Sequence, residues 1–458
     1  MNFIYINSDT LRRDHLGCYG NEWIHTPSID SFAGESVVFD RAYTGSFPTV
    51  PNRRDVLTGR YTFTYTDWAV LSWGEIVLPQ VLGKAGYTSY MVLDTPHIIA
   101  NGFGYDRGFS GWKWIRGQEG DRFKTDPLEV KLPCAVGKLR GADRTTSQYL
   151  RNVADRRSEA DYFAPMTMAE ACKWLDANHT RDKFLLYVDT FDPHEPWDPP
   201  KKYVDMYDPG YSGEEVIYPL YAPCDFLTDS ELAHVKALYA GEVSMVDAWV
   251  GKLLAKIEEL GLFDNTLVIF TTDHGFYFGE HGQIGKLGML YEEVNHIPLM
   301  MRMPGIKPGR RSQFVQPCDH MPTILDLAGV ERPETVQGKS LVEVLKGGTE
   351  PVRDFVITSS AVVHPPVSDK PITLNASNWG DYAYKLKTST IVTDEWTLIT
   401  AAGDMRSELY HNADDPHQTN NVIEGNKAAA EQLHAKYISL LESLGTAEEF
   451  IAPRRKLV

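Results

Sequence analysis

The chain has 458 residues, and 45 Lys and Arg against 62 Asp and Glu give a formal net charge of −17. With 43% hydrophobic and 11% aromatic residues it can bury a large core, which excludes wholesale disorder. The acidic balance, with no basic patch and no apolar run approaching a membrane span, excludes a nucleic-acid scaffold and a membrane-spanning protein.

Residues 3–6 form a short apolar run ending in Asn7-Ser8-Asp9-Thr10, the pattern of a buried strand with polar groups at its C-terminal end. Met1 leads into this run with no basic start or cleavage site, so a cytoplasmic location is expected. Residues 77–82 lead through Lys84 to Gly86 and predict a helix, and residues 89–93 predict the next strand. The stretch 112–157 is polar, rich in both charges and weakly periodic, and is expected to be a long loop excursion from the sheet.

Residues 184–188 are another buried strand, followed by Asp189-Thr190-Phe191-Asp192-Pro193-His194. From Glu231 to Leu260 the apolar positions recur at helical spacing, and Thr228 with Glu231 makes a capping box. Residues 267–270 then predict a strand running into Thr271-Thr272-Asp273-His274-Gly275. After about Pro351 the pattern changes to short strands at 382–386 and 395–399 and a final helix at 427–444. Strands alternating with helices place the chain in the α/β class with a mainly parallel sheet. Residues 1–350 are expected to form the main domain and 351–458 a small α+β unit with a short antiparallel sheet. The five cysteines, Cys18, Cys134, Cys172, Cys224 and Cys318, are scattered, and reduced thiols are expected.

Three predicted strands end in acid or His clusters: Asp9, then Asp192 with His194, then Asp273 with His274. Parallel strands bring such ends to one rim, where open α/β sheets bind ligands. Carboxylate oxygens with an imidazole suit a divalent cation, although an Asp after a strand more often caps a helix.

Further motifs sharpen this. The stretch from Asp9 through Arg13-Asp14-His15 to Gly20, then Thr26-Pro27-Ser28-Ile29-Asp30, Leu57-Thr58-Gly59-Arg60, Thr272-Asp273-His274-Gly275, Gly279-Glu280-His281-Gly282 with Lys286, and Glu408-Leu409-Tyr410 with Asp415-Pro416 resemble the sulfatase family of the alkaline phosphatase superfamily. The resemblance runs nearly end to end and implies a three-layer α/β/α core with a smaller C-terminal sheet domain. It implies Asp9, Asp273 and His274 as metal ligands, with Thr10 a weak ligand or none. It implies His194 and Lys286 as contacts to the transferred group, Arg53 as the residue orienting the nucleophile, and His97 as a transition-state contact. Asp273 followed by His274 is similar to phosphonate monoester hydrolases and favours Mn or Zn over Ca or Mg.

One departure decides the expected chemistry. Sulfatases carry Cys-x-Pro-x-Arg, with the Cys oxidised to formylglycine, whereas this chain reads Thr49-Val50-Pro51-Asn52-Arg53 with no cysteine nearby. Formylglycine cannot form there, and Ser46 and Thr44 are the other close hydroxyls. A threonine lacks the hemiacetal exit for sulfate, but a Thr49 alkoxide at the cation, as in superfamily phosphodiesterases, can attack phosphorus and leave a phospho-threonine for water to hydrolyse. The expectation is therefore a metal-dependent hydrolase of a phosphodiester or phosphonate monoester. The alternatives are a sulfate-ester hydrolase working without formylglycine, a transferase passing the phosphoryl group to an alcohol, and a catalytically silent anion-binding protein. The expected partner is a small anionic ester, with no nucleic acid or membrane, and homo-oligomerisation is left open.

The remaining candidates carry two readings each. A second metal ion would draw on Asp192, His194 and His97. Trp112, Trp114, Arg116 and Gln118 suit either a pocket wall or a plug beneath a loop. Arg12 and Arg13 suit either an anionic substrate or solvation, and Glu280-His281 suits either a further metal pair or, as the resemblance favours, a structural role holding the loop that presents Lys286.

Overall fold

The computed structural model describes residues 1–286, 288–364, 387–400 and 406–457. Its centre is an eight-stranded sheet in the order Gly309–Val315, Val37–Ala42, Leu299–Arg302, Thr266–Thr271, Asn2–Ser8, Phe184–Thr190, Thr88–Leu93, Gly111–Trp114. All neighbours pair in parallel except Leu299–Arg302, which runs antiparallel to both of its own.

The central strands are apolar on both faces because both faces are covered. Ile4, Ile6, Leu186, Val188, Val268 and Phe270 point into one core with helices Pro27–Gly34, Phe163–Asn178 and Asp229–Glu259. Phe3, Tyr5, Leu185, Tyr187, Leu267 and Ile269 point into the other with helices Thr49–Thr58, Leu78–Lys84 and His320–Ala328. This is the expected three-layer arrangement. Each such fully buried side chain contributes about 1.5–3 kcal/mol.

The longest helix, Asp229–Glu259, starts at the expected capping box: Thr228 Oγ1 accepts from Glu231 N, and Glu231 reaches back to Thr228 N at 2.9 Å. A four-stranded antiparallel sheet, Val356–Ser359, Ser389–Val392, Trp396–Ile399 and Glu408–His411, packs Ile357, Ile391, Leu398 and Leu409 against Leu433, Tyr437 and Leu441 of helix Lys427–Ser443. The strand expected at 382–386 lies outside the described residues. No helix among the described residues is long and apolar enough to cross a membrane.

The excursion begins later than expected. Gly111–Trp114 pairs with Thr88–Leu93 as the sheet's edge strand, so Trp112 and Trp114 belong to the sheet. Four residues alternating about an edge, with Lys113 among them, give too weak an apolar pattern to read as a strand. The strands Val37–Ala42 and Gly309–Val315 escape the sequence reading for the same reason: each mixes charged residues into a short run.

Candidate active site

The sheet register builds the site. Asn7 lies opposite Thr271 on the neighbouring strand, and two residues further on both strands yield to Asp9 and to Asp273 with His274. On the other side Ser8 lies opposite Thr190, which sets Asp189 beside them. Strands lie about 4.8 Å apart, so these groups meet. Asp9, Asp273 and His274 each offer a ligand atom within 4.8 Å of the others, all buried, and they are the one such group of three among the described residues.

Thr49 opens helix Thr49–Thr58, whose N-terminus faces this cluster. The helix ends at Gly59, whose φ of +66° suits the left-handed cap and whose N–H bonds Asp55 O at 2.9 Å. All ten of its residues are buried although six are polar, so each polar group needs a partner. Asn52 donates to Thr44 Oγ1 at 2.8 Å and to Asp273 O at 3.2 Å. Asp55 accepts from Ser46 N, Ser46 Oγ and Thr62 N, each at 2.7 Å. Thr44 and Ser46 are thus tied into the frame, while Thr49 Oγ1 turns to His274 Nε2 at 3.4 Å.

One turn after Thr49, the Arg53 guanidinium binds three carboxylates. It takes Asp189 in bidentate fashion at 2.9 and 3.0 Å, bonds Asp273, and lies 3.0 Å from Asp9 Oδ2. Its hydrogen bonds go to these carboxylates, so it orders the acidic groups beside Thr49. The Asp9 oxygen lies off the line of the Arg53 N–H bonds and accepts no hydrogen bond, leaving a buried carboxylate oxygen orphaned. Three carboxylates outnumber the Arg53 guanidinium and the nearby Lys286 ammonium, and a divalent cation would balance the remaining negative charge.

Burial pushes the Asp9 carboxyl up, and the neighbouring Asp273 adds to this. Burial would raise Asp273 too, but Arg53 and His274 hold it down. Burial lowers His274 to about 3, and its Nδ1 lies 3.1 Å from Gly275 O. A neutral ring that donates from Nδ1 keeps the Nε2 lone pair for a ligand. A Cβ on Gly275 would lie 2.0 Å from Glu293 O, so no side chain fits there. The donor set, the orphaned oxygen and the tautomer together fit a divalent cation.

Lys286 Nζ donates to His194 Nε2 at 2.7 Å and lies 3.4 Å from His274 Nε2, joining the two imidazoles. Burial, then Lys286, drives His194 well below its usual range, and its Nδ1 lies 2.6 Å from Glu195 O. His97 stands further out, with Nε2 2.7 Å from Glu119 Oε2 and its ring 5.6 Å from that of Phe191, which stacks on His194 at 3.9 Å.

Other expectations change. Thr10 has φ +62°, donates from Oγ1 to Asp9 at 2.7 Å and from N to Asp273 at 3.0 Å, so it orients both carboxylates. Asp192 accepts from Ala164 N at 2.9 Å and Gln118 Nε2 at 2.7 Å, at a helix start rather than in a second metal cluster. Gln118 is therefore a support, and Arg116 pairs with Asp121 at 2.7 Å. Arg12 is buried against Asp14 and Glu280 and so is not free for a substrate, while Arg13 stacks on Tyr19. Glu280 accordingly holds its loop, and His281 stacks on Tyr291.

The sequence reading missed Asp189, Glu119, Arg140 and Glu195 as site residues. Asp189 follows a strand just as Asp9 does, and that signal was there to use. Glu119 and Arg140 sit in irregular chain, where no periodicity points at them.

A family model described as Sulfatase matches residues 1–330. The chain is 26% identical over 505 residues to an N-acetylglucosamine-6-O-sulfatase of Bacteroides thetaiotaomicron, covering 96% of this chain and 85% of that one. Its fold is similar to the crystal structure of the phosphonate monoester hydrolase of Agrobacterium radiobacter, with a TM-score of 0.73 at 21% identity and 97% and 95% of the two chains covered. It is also similar to a protein solved in complex with its substrate D-glucosamine-2-N,6-O-disulfate, with a TM-score of 0.72 at 22% identity and 99% of each chain covered.

Proposed function

Because the chain belongs to the sulfatase family, we propose that it is a metal-dependent hydrolase that opens a phosphodiester or phosphonate monoester by in-line attack of Thr49. One observation carries this reading. Of the three hydroxyls around the nucleophile position, Thr44 and Ser46 serve the frame, and Thr49 alone turns to the Asp9, Asp273 and His274 cluster.

A divalent cation held by Asp9, Asp273 and His274, Mn or Zn by the chemistry of one imidazole among oxygens, would supply positive charge beside Thr49 Oγ1 and the transferred oxygens. Thr49 loses its proton to solvent and attacks phosphorus. The Oγ1–P bond forms as the bond to the leaving oxygen breaks. Lys286, held in place by the Nε2 lone pair of His194, binds the oxygens of the transferred group, and the leaving oxygen takes a proton from His97. Water then cleaves the phospho-threonine and returns a proton to His97. Arg53 keeps the three carboxylates in place throughout.

A second reading, hydrolysis of a sulfate ester, is favoured by the sulfatase of Bacteroides thetaiotaomicron that matches nearly the whole chain. The test is turnover of matched aryl phosphate monoester, phosphodiester, phosphonate monoester and sulfate by Mn- or Zn-loaded protein, with Thr49→Ala beside it. Turnover of phosphorus esters that vanishes in the variant is the expected result. Turnover of sulfate alone transfers the assignment to the second reading, and turnover that survives Thr49→Ala removes Thr49 as the nucleophile.

A further inference from the structure

Resting on the phosphoryl-transfer reading, we propose that Glu119 is the positioning residue that aims His97 at the leaving group, and that the natural leaving group is a weakly acidic aliphatic alcohol rather than a phenol.

Glu119 is a poor choice for an ordinary loop position. Its φ is +49°, a left-handed conformation that a side chain disfavours, and it is 7% exposed. Such backbone persists only where the surroundings fix it, and a buried carboxylate persists only where it is paired. Both conditions hold. Its N–H bonds Gln118 Oε1 at 3.1 Å, and Gln118 is itself anchored on Asp192. Its carboxylate accepts from Tyr218 Oη and from Arg140 Nη2 at 3.5 Å, and lies 2.7 Å from His97 Nε2. Burial alone would raise Glu119, but His97, Arg140 and Tyr218 together hold it down to about 2, so it stays ionised.

The orientation of His97 follows. Its ring sits edge-on to Trp68 at 5.2 Å and tilted against Phe191 at 5.6 Å, which restricts its plane. With Nε2 claimed by Glu119, Nδ1 is the nitrogen left to face a substrate, and the side chain is 29% exposed. Arg140 continues the frame by binding Glu195 at 2.7 Å, and Glu195 Oε2 lies 3.1 Å from His194 Nδ1. His97 and His194 thus each lie against a carboxylate, and one arginine spans the two.

A carboxylate behind an imidazole fixes the ring's orientation and decides which nitrogen is left to face the substrate. That is useful for one task here. When the bond from phosphorus to the leaving oxygen breaks, the electron pair goes to that oxygen, which takes a proton from His97 Nδ1. The neutral ring regains a proton from the water that later opens the phospho-threonine. A nitrophenolate departs without that proton, whereas an alkoxide needs it.

The test compares Glu119→Gln, close in shape to the original, and Glu119→Asp with wild-type protein on two phosphodiesters that differ only in leaving group, 4-nitrophenol or ethanol. Thermal melts accompany them to confirm folding. Glu119→Gln is expected to lower kcat for the ethyl ester about a hundredfold at unchanged KM, to leave the 4-nitrophenyl ester within about threefold, and to be partly rescued in Glu119→Asp. His97→Ala should copy the pattern. Equal slowing of both esters, or a change confined to KM, overturns the proposal while leaving the hydrolase reading intact. A wild-type protein inert toward both esters counts against that reading itself and takes this inference with it.

Discussion

Two charged clusters line this site, and they are built in opposite ways. Asp9, Asp189, Asp273 and His274 stand at or just past the ends of adjacent strands, and Arg53 meets them from the helix that Thr49 opens. The outer cluster of His97, Glu119, Arg140 and Glu195 comes from irregular chain after strand ends and from the excursion. The inner groups owe their placement to sheet register, which cannot slip without moving a whole buried strand to the wrong face. The outer groups owe theirs to one another. The inner cluster carries excess negative charge that a cation would answer. In the outer one the carboxylates Glu119 and Glu195 are answered by Arg140, Tyr218 and Tyr221.

The strongest break of this contrast is Arg53→Met in metal-free buffer. It strands three fully buried carboxylates and should cost about 3–5 kcal/mol, read as a lower denaturation midpoint at unchanged slope. Added Mn or Zn should recover part of that loss. A cost below about 1 kcal/mol would mean that the carboxylates are already protonated and that the cluster is not poised for a cation.

The outer cluster should instead show itself in acid. Glu119 is held at about 2 when folded, against 4.5 for a free Glu, so its stabilisation is present above about pH 4.5 and is lost as the pH falls toward 2. Glu119→Gln should therefore flatten the acid limb of the stability curve by a few kcal/mol, roughly the worth of two pKa units. An unchanged acid limb would contradict the pairing described here.

A smaller effect sharpens the comparison from the metal side. Mn or Zn at about a hundred times its dissociation constant should stabilise the wild-type protein by about 2.7 kcal/mol, Asp273→Asn by much less, and Glu119→Gln as fully as wild type. Equal stabilisation of all three would place the cation elsewhere.

The same contrast explains what the sequence could show. Continuous apolar runs at 3–6, 184–188 and 267–270 mark buried parallel strands, and the polar residues after them mark a rim, so Asp9, Asp273 and His274 are legible. Thr49 and Arg53 are legible only through motif resemblance, because a helix with ten buried residues and little apolar character has no amphipathic signature. Glu119 and Arg140 are invisible for a different reason. Their meaning comes from contacts across 21 to 99 positions, with no local pattern to betray them. Edge strands such as Gly111–Trp114 fall between these cases, since one exposed side dilutes the alternation.

The proposed chemistry turns on Thr49. Protein loaded with Mn or Zn should be mixed with a phosphodiester that has an activated leaving group, quenched in acid during turnover, digested and mapped by mass spectrometry. The prediction is a phosphoryl group on the peptide carrying Thr49, localised to that side chain and absent in Thr49→Ala. Turnover with an unmodified Thr49 peptide at every quench time, or a phosphoryl group on Ser46 or Thr44, would contradict it.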